Sequence, residues 1–268
     1  MHIPKGDYPE DNCKENEKRN STSTPVKTME VLEVLATSRN GLGVTEISRM
    51  VDLNKSTVYR ILMALVDKQY VLKDESIKRY RLGFKLLLLS NQALDSLELR
   101  KIARPELNEL SRLSSETVHL VWLERDEGVY VEKIDTPEGV GLLSRVGNRL
   151  PLYSTGVGKA MLAFMDDNRI QSYLQRVTLM PKTSYTIISA EQLQMEIMEI
   201  RKNGYAVDHQ ENRLGVVCVA APIFDSNGNV IAAISVSGPN FRLSEEKANS
   251  FGPILKGKAL QVSEKLGY

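Results

Sequence analysis

The sequence predicts an α+β protein with a small helical N-terminal unit and a larger C-terminal unit built on an antiparallel sheet. Up to about residue 68, apolar residues recur at helical spacing. From residue 116 onward, segments with a period of two alternate with helical segments, which is typical of an antiparallel sheet with packed helices. The 268 residues are 42% hydrophobic and 26% charged, enough to bury a core and keep a polar surface.

The chain shows no sign of export or membrane insertion. No apolar run approaches the ~18 residues of a membrane span, and residues 1–24 are polar, without the apolar segment of a secretory signal. We expect this lead to be disordered. Cys13 in the lead and Cys218 in a predicted strand do not make a disulfide framework. We therefore expect a reduced, cytoplasmic protein.

The charge is distributed unevenly along the chain. The net charge is +1, but residues 23–85 contain 11 Lys and Arg against 7 Asp and Glu. The remainder is therefore slightly acidic. A basic unit joined to an acidic one indicates an anionic partner at the N-terminal end.

Residues 25–84 predict three helices and a two-stranded hairpin. The first helix covers residues 26–38, and two glycines follow it. The second covers residues 45–51 and is capped by Thr45. The third runs to about Lys68 after a turn and is capped by Asn54 or Ser56, and two short strands then flank a turn at residues 74–76. This order is typical of a winged helix-turn-helix.

The third helix, in LNKSTVYRIL, separates an apolar stripe from a polar N-terminal turn. Val58, Ile61 and Leu62 would face the core, whereas the polar side chains would face base edges and phosphates. The predicted DNA-contacting residues of this helix, the second helix and the wing are Thr45, Lys55, Ser56, Thr57, Tyr59, Arg60, Lys78 and Arg79. The alternative is an ordinary capped helix on a protein-binding domain.

Residues 84–102 have the pattern of one unbroken helix, apolar over much of its surface. We predict a linker helix, residues 85–102, that dimerises, because paired DNA half-sites call for a two-fold protein. A helix buried within one domain is the alternative. Pro105 would then lie in the first turn of a following helix, at the start of a third region, residues 103–268.

Two strands of that region combine small and polar side chains on one face. In VIAAISVS, Val230 and Ala232 would face one way, whereas Ile231, Ala233, Ser235 and Ser237 would face the other. Val216, Cys218 and Ala220 share a face of the neighbouring strand. This small-residue face could border a ligand pocket or pack closely against a helix, and the residues leave both open.

Three catalytic or metal-binding patterns fail. STGVGKA lacks the first glycine and the final hydroxyl residue of a phosphate loop, although its helix entry can still hold a carboxylate. Asp208, His209 and Glu211 could bind a metal, but their spacing supports a polar strand end instead. No serine has a G-x-S-x-G elbow. We therefore expect no metal, no cofactor and no catalytic residues.

Several ordered motifs resemble the isocitrate lyase regulator (IclR) family of bacterial transcription factors from about residue 25 to the C-terminus. In the N-terminal unit the resemblance rests on LNKSTVYRILMAL and on YRLG. In the C-terminal unit it rests on VGNRLPLYSTGVGKAMLA, GYAVDHQEN, GVVCVAAPIFD and AAISVSGP. The resemblance implies winged-helix dimers or tetramers with a GAF-like effector-binding domain.

The resemblance also implies an effector pocket, carried over position by position. Gly156 and Val157 would contribute backbone N–H groups. The other implied residues are the polar contacts Asp208, Cys218, Ser235 and Ser237 and the apolar wall Leu142, Leu150 and Val216. Many relatives read D-x-E-E where this chain reads DHQE. We expect the imidazole and amide of that segment to lie near the pocket mouth and to alter ligand choice.

We therefore predict a repressor on double-stranded operator DNA, a homodimer or homotetramer whose binding is modulated by a small carboxylate such as a sugar acid or organic acid. One alternative is an enzyme whose small domain is only an interaction module. Another is an architectural DNA-binding protein without a ligand. The residues leave open the effector, the operator, repression against activation and dimer against tetramer.

Overall fold

The computed structural model describes residues 23–135 and 144–268. Most of the predicted disordered tail and Leu142 therefore lie outside the described residues, whereas Thr24 already opens the first helix. The chain divides between Ala93 and Leu94 into two compact units. Within the described residues, no helix is long and apolar enough to cross a membrane.

The N-terminal unit is a winged helix-turn-helix, as predicted. Its elements are α1 (Thr24–Ala36), α2 (Val44–Met50), α3 (Lys55–Asp67), β1 (Val71–Asp74) and β2 (Arg79–Leu82). The two strands pair antiparallel from Val71↔Leu82 to Asp74↔Arg79. The helices meet in one core of Val31, Leu35, Ile47, Val58, Ile61, Leu62, Leu65, Val71 and Tyr80. The apolar stripe of α3 is thus buried and its polar first turn faces outward.

The predicted caps of α2 and α3 need correction. Gly43, not Thr45, is the N-cap of α2, and its N–H donates to the Glu46 carboxylate at 2.7 Å. Thr45 lies within the first turn. Asn54 occupies the N-cap of α3 with extended backbone angles, but its side chain accepts no capping hydrogen bond. The Glu46 carboxylate thus accepts the N–H of the N-cap residue, whereas a threonine hydroxyl at the N-cap would have accepted an N–H of the first turn.

The predicted unbroken linker helix is wrong. The chain forms α4 (Lys85–Asp95) and then α5 (Glu98–Ser114), and Leu97 is the extended N-cap between them. The break has a packing cause, because α5 buries Leu99 in the core of the C-terminal unit whereas α4 buries none of its residues. Pro105 consequently lies in the interior of α5 and not in a first turn.

The C-terminal unit is an antiparallel sheet of order β5-β4-β3-β8-β7-β6 with helices on both faces. Its strands are β3 (Thr117–Glu124), β4 (Glu127–Ile134), β5 (Arg149–Pro151), β6 (Ala206–His209), β7 (Val216–Phe224) and β8 (Val230–Pro239). Its further helices are α6 (Gly156–Ala163), α7 (Asp167–Arg176), α8 (Ala190–Asn203) and α9 (Glu245–Lys265). One core packs α5 and α9 against the sheet, and a second packs α6, α7 and α8 against it.

The predicted alternation of β8 holds only in its second half. Ala232, Ile234 and Val236 pack in the core under α5 and α9, and Ser235 and Ser237 take the opposite face. At the start of the strand the two faces are exchanged. Val230 packs in the core formed with α6, α7 and α8, and Ile231 packs under α5 and α9. The cause is a β-bulge in β8: Ile223 of β7 pairs with Ala232 and Phe224 pairs with Val230, so Ile231 is an extra residue.

Candidate functional site

The first turn of α3 presents polar groups to solvent. Lys55, Ser56, Tyr59 and Arg60 are exposed, and Thr57 is half-buried. Because the first N–H groups of a helix have no intrahelical acceptor, the same turn offers backbone donors to an anion. This surface can therefore contact phosphate through the backbone and base edges through side chains.

The wing and α2 are tied together beside that surface. Arg79 Nη2 lies 3.0 Å from Glu46 Oε2, and its Nε donates to the Gly41 carbonyl at 3.1 Å. Lys78 is exposed at the turn, where its backbone is left-handed with φ of 54°. Lys78 therefore has its charge available, whereas the Arg79 guanidinium already has protein partners. Arg81, which the sequence analysis did not select, is exposed on β2.

Eight of the nine predicted pocket residues line one cavity of about 330 Å³ in the C-terminal unit. They are Leu150, Gly156, Val157, Asp208, Val216, Cys218, Ser235 and Ser237. The ninth, Leu142, lies outside the described residues. The cavity thus brings together predicted residues of β5, α6, β6, β7 and β8, and it is large enough for a small metabolite.

The N-terminus of α6 forms one wall of the cavity. Thr155 caps the helix by accepting the N–H of Gly158 at 3.1 Å, which leaves the N–H groups of Gly156 and Val157 without intrahelical acceptors. A Cβ on Gly156 would come within 3.0 Å of Cys218 Sγ, and one on Gly158 within 2.5 Å of Leu152 backbone atoms. The glycines therefore let the helix end approach β7 and the residue that follows β5 closely.

The sheet supplies the polar floor. Cys218 on β7 pairs with Ser237 on β8, and His119 on β3 pairs with Ser235. Burial raises the pKa of the Cys218 thiol to about 12. Cys218 is therefore a neutral thiol at physiological pH, and it serves as a small polar surface rather than a nucleophile.

His119 is a cavity residue that the sequence analysis missed. Its Nε2 lies 2.7 Å from Ser144 Oγ, its Nδ1 lies 3.4 Å from Ser235 Oγ, and its ring centroid lies 4.9 Å from that of Tyr130. Burial, and secondarily the Lys133 charge, lower the pKa of His119 to about 3. The imidazole is therefore neutral and links two serine hydroxyls. The only available signal in the sequence was its position in the predicted strand TVHLVWLE, where every second residue faces the same side of the sheet.

The other cavity residues that the sequence analysis missed come mainly from loops and strand ends. They are Tyr130, Ser144, Asn148, Arg149, Pro151, Thr155, Lys182, Asn212 and Arg213. His209 and Gln210 do not line the cavity, contrary to expectation. Gln210 instead accepts the N–H of Gly215 at 2.9 Å, and His209 Nδ1 lies 3.3 Å from Glu245 Oε1.

A buried ionic cluster lies behind the cavity wall. Lys159 of α6 is fully buried, and its ammonium contacts Glu211 Oε1 at 2.5 Å and Glu196 Oε1 at 2.8 Å. Asp208 Oδ1 accepts the N–H of Glu211 at 2.7 Å. Burial, then the Glu211 charge, raise the pKa of Asp208 to about 7. Glu211 is thus engaged by a lysine, and no group of residues suited to hold a metal occurs in the described part of the chain.

A winged helix-turn-helix joined to a sensor-like α+β unit with a ligand-sized cavity defines a DNA-binding transcriptional regulator. Residues 24–75 match the IclR helix-turn-helix domain, and residues 91–264 match the C-terminal domain of the bacterial transcriptional regulator IclR. The chain belongs to the IclR family. The chain is 38% identical to the transcriptional regulator KdgR of Escherichia coli over 248 residues, which span 92% of this chain and 94% of that protein.

Solved structures agree in fold. IclR of Thermotoga maritima has 38% identity and a TM-score of 0.80, covering 91% of this chain and 99% of that one. An IclR homologue from Microbacterium hydrocarbonoxydans, solved in complex with 4-hydroxybenzoate, has 25% identity and a TM-score of 0.78, covering 91% and 99%. That relative binds an aromatic acid.

Proposed function

We propose that this regulator is a repressor whose binding to operator DNA is modulated by a small carboxylate metabolite held in the cavity of the C-terminal unit. The observation that carries the proposal is the cavity itself, where a helix N-terminus meets two serine hydroxyls across a space of about 330 Å³. Backbone N–H groups at a helix N-terminus favour an anion. The bound acid of the Microbacterium relative supports the same ligand class.

In this proposal α3 reads the major groove and the wing contacts the backbone. Exposed Lys55, Ser56, Tyr59 and Arg60 reach bases and phosphates, and Thr57 supports them from the same turn. Lys78 contacts phosphate from the wing. Thr45 lies in the first turn of α2 and contacts the backbone there. Arg79 acts mainly by fixing the wing to α2 through Glu46.

In the cavity, the acid's carboxylate accepts the N–H groups of Gly156 and Val157. Ser235 and Ser237 bond its remaining oxygens, and Cys218 and Asp208 provide further polar contacts. The apolar wall is Leu150 and Val216. A sugar acid or organic acid combines one carboxylate with several further oxygen atoms, which these contacts can hold.

We further propose a homodimer or homotetramer. In the described chain α4 buries none of its residues and exposes Leu87, Leu88 and Leu89, which suits a helix that packs against a second copy. Acid binding that favours one arrangement of the paired units would alter the spacing of the two α3 helices, and so operator affinity.

The deciding experiment measures binding of the purified protein to the DNA upstream of its own gene, at one stated salt concentration. Pyruvate, D-gluconate and 4-hydroxybenzoate are added separately. The proposal expects specific binding that at least one acid weakens. An acid that strengthens binding would point to activation or co-repression, and specific binding that no acid alters would contradict the effector assignment.

A further inference from the structure

The cluster behind the cavity wall holds more carboxylates than cations. Glu196 and Glu211 contact one ammonium, that of the fully buried Lys159, and Asp208 accepts a hydrogen bond from the backbone N–H of Glu211. With every group ionised, the four side chains would carry a net charge of −2. Buried charges are stable only when paired and hydrogen-bonded. One of these carboxyl groups therefore favours a proton.

Two details indicate which carboxyl group that is. Glu196 and Glu211 contact the ammonium directly, whereas Asp208 contacts the cluster through the backbone N–H of Glu211 at 2.7 Å. Glu211 Oε2 is also buried and has no hydrogen-bond partner among the described residues. The cluster therefore has too few hydrogen-bond donors, and Asp208 is the member without a direct ion pair.

Other groups around Asp208 do not reverse this balance. Cys218 of β7 and Tyr130 of β4 both face Asp208. Both groups are neutral, because burial raises the pKa of each side chain above its ordinary value. Across the cavity His119 is neutral. Backbone N–H groups of Glu211 and Asn212 favour the charged form but are outweighed by burial.

Among the described residues, three cationic side chains line the cavity, and each is either ion-paired or exposed to solvent. Arg149 is ion-paired with Glu124 and Glu127. Lys182 and Arg213 are exposed, and solvent and salt weaken their effect on a buried carboxyl. In the described part of the chain, no buried cation lines the cavity beside Asp208 to bind an entering anion.

We propose that Asp208 is a protonated carboxyl group in the acid-bound protein and donates a hydrogen bond to an oxygen of the acid. This inference rests on the proposed function, because it concerns the same ligand. The proton comes from solvent: the acid binds as its anion, and Asp208 takes up one proton when it is ionised beforehand. Because the protonated side chain carries no charge, the cavity can select a carboxylate although an aspartate lies in its wall.

The first test needs no ligand. The Asp208 carboxyl carbon is followed by ¹³C NMR between about pH 5 and pH 8.5, and its signal is assigned by its loss in Asp208→Asn. The inference expects a midpoint close to 7, well above the ordinary aspartate range of about 4. A midpoint below about 5 overturns it. Glu199→Gln, at an exposed position of α8, is the matched control and leaves the signal unchanged.

The second test measures proton uptake on binding. Pyruvate, D-gluconate and 4-hydroxybenzoate are titrated calorimetrically in HEPES and in Tris at about pH 8. Because these carboxylates stay ionised there, the inference expects uptake of close to one proton per bound acid and an affinity that falls about tenfold per pH unit above 7. Asp208→Asn is expected to bind with no proton uptake and no such pH dependence.

The outcomes separate the two proposals. Binding without proton uptake, or an Asp208→Asn variant that loses more than about tenfold in affinity near pH 6, overturns the role of Asp208 and leaves the effector assignment standing. Failure of all three acids to bind at any pH contradicts the effector class. The ¹³C titration then still decides whether Asp208 carries the proton.

Discussion

Lys159 and Glu211 form a fully buried ion pair, with Nζ and Oε1 2.5 Å apart. The two residues are 52 positions apart in the chain, and the bond joins the N-terminal half of α6 to the segment after β6. Glu196 of α8 contacts the same ammonium. The pair therefore fixes the helix end that borders the cavity relative to Asp208.

We predict that Lys159→Met costs about 3–5 kcal/mol of the free energy of unfolding, because it leaves the buried Glu211 carboxylate unpaired. Urea denaturation of the C-terminal unit measures this. Asp126→Asn is the control: it breaks the exposed Arg176–Asp126 pair and is expected to cost about 0–1 kcal/mol. Equal losses in the two variants would contradict the importance of the buried pair.

The buried His119 predicts acid sensitivity. Its pKa is about 3 in the folded chain against an ordinary 6.5, so the unfolded chain binds the extra proton between these values. Stability is therefore retained above about pH 6.5 and falls by up to about 1.4 kcal/mol per pH unit below it. Thermal unfolding of the wild type and His119→Gln between about pH 4 and pH 8 checks this. The wild type should lose stability more steeply than His119→Gln on acidification, and parallel curves would contradict this prediction.

The sequence predicted the elements whose patterns are local. The three N-terminal helices, the hairpin and the small-residue face of Cys218, Ser235 and Ser237 follow from residue spacing. The family resemblance added Asp208 and the backbone N–H groups of Gly156 and Val157 at the start of α6. In each case, neighbouring residues in the chain carry the signal.

What the sequence did not predict depends on distant partners. Lys159 looks like a solvent-exposed lysine until Glu196 and Glu211 are placed beside it, 37 and 52 residues away. The break before Glu98 follows from burial of Leu99 in the core of the C-terminal unit. The reversal at Val230 follows from a bulge at Ile231 of β8. None of these has a local signature.

The two glycines of α6 predict different outcomes. Gly158→Ala would place a Cβ 2.5 Å from the Leu152 Cα and carbonyl oxygen, so we expect a loss of about 2 kcal/mol or more in unfolding free energy. Gly156→Ala meets Cys218 Sγ at 3.0 Å and should mainly reduce acid binding. Gly257→Ala, in α9 with nothing within 4 Å, should stabilise by about 0.5–1 kcal/mol. Denaturation and calorimetry compare the three variants.

Ser235 and Ser237 are predicted to be required for the effector response. The double variant Ser235→Ala, Ser237→Ala removes two hydroxyls from the cavity floor, and each lost hydrogen bond weakens acid binding by about 0.5–1.5 kcal/mol. Operator binding without acid should be unchanged, because the substitutions lie in the C-terminal unit. Fluorescence anisotropy on operator DNA with increasing acid measures both properties. A double variant that responds like the wild type would contradict the assignment.

Arg60 is predicted to contribute directly to DNA binding, because it is exposed on the polar turn of α3. If it bonds a guanine edge, Arg60→Ala costs about 1–3 kcal/mol and relaxes specificity at one position of the operator. If it contacts phosphate, Arg60→Ala lowers the affinity for all DNA sequences to a similar extent. The variant then releases about one counterion fewer on binding, so its affinity depends less steeply on salt.

Anisotropy titrations at several salt concentrations, on operator DNA and on single-base variants, separate these two roles of Arg60. Arg176→Ala, an exposed arginine of α7, is the control and should leave DNA binding unchanged. Arg79→Ala should differ from both. It releases Glu46 and the Gly41 carbonyl and so loosens the wing, which lowers the stability of the N-terminal unit together with its affinity for DNA. If Arg60→Ala binds the operator like the wild type at every salt concentration, α3 is not the recognition helix.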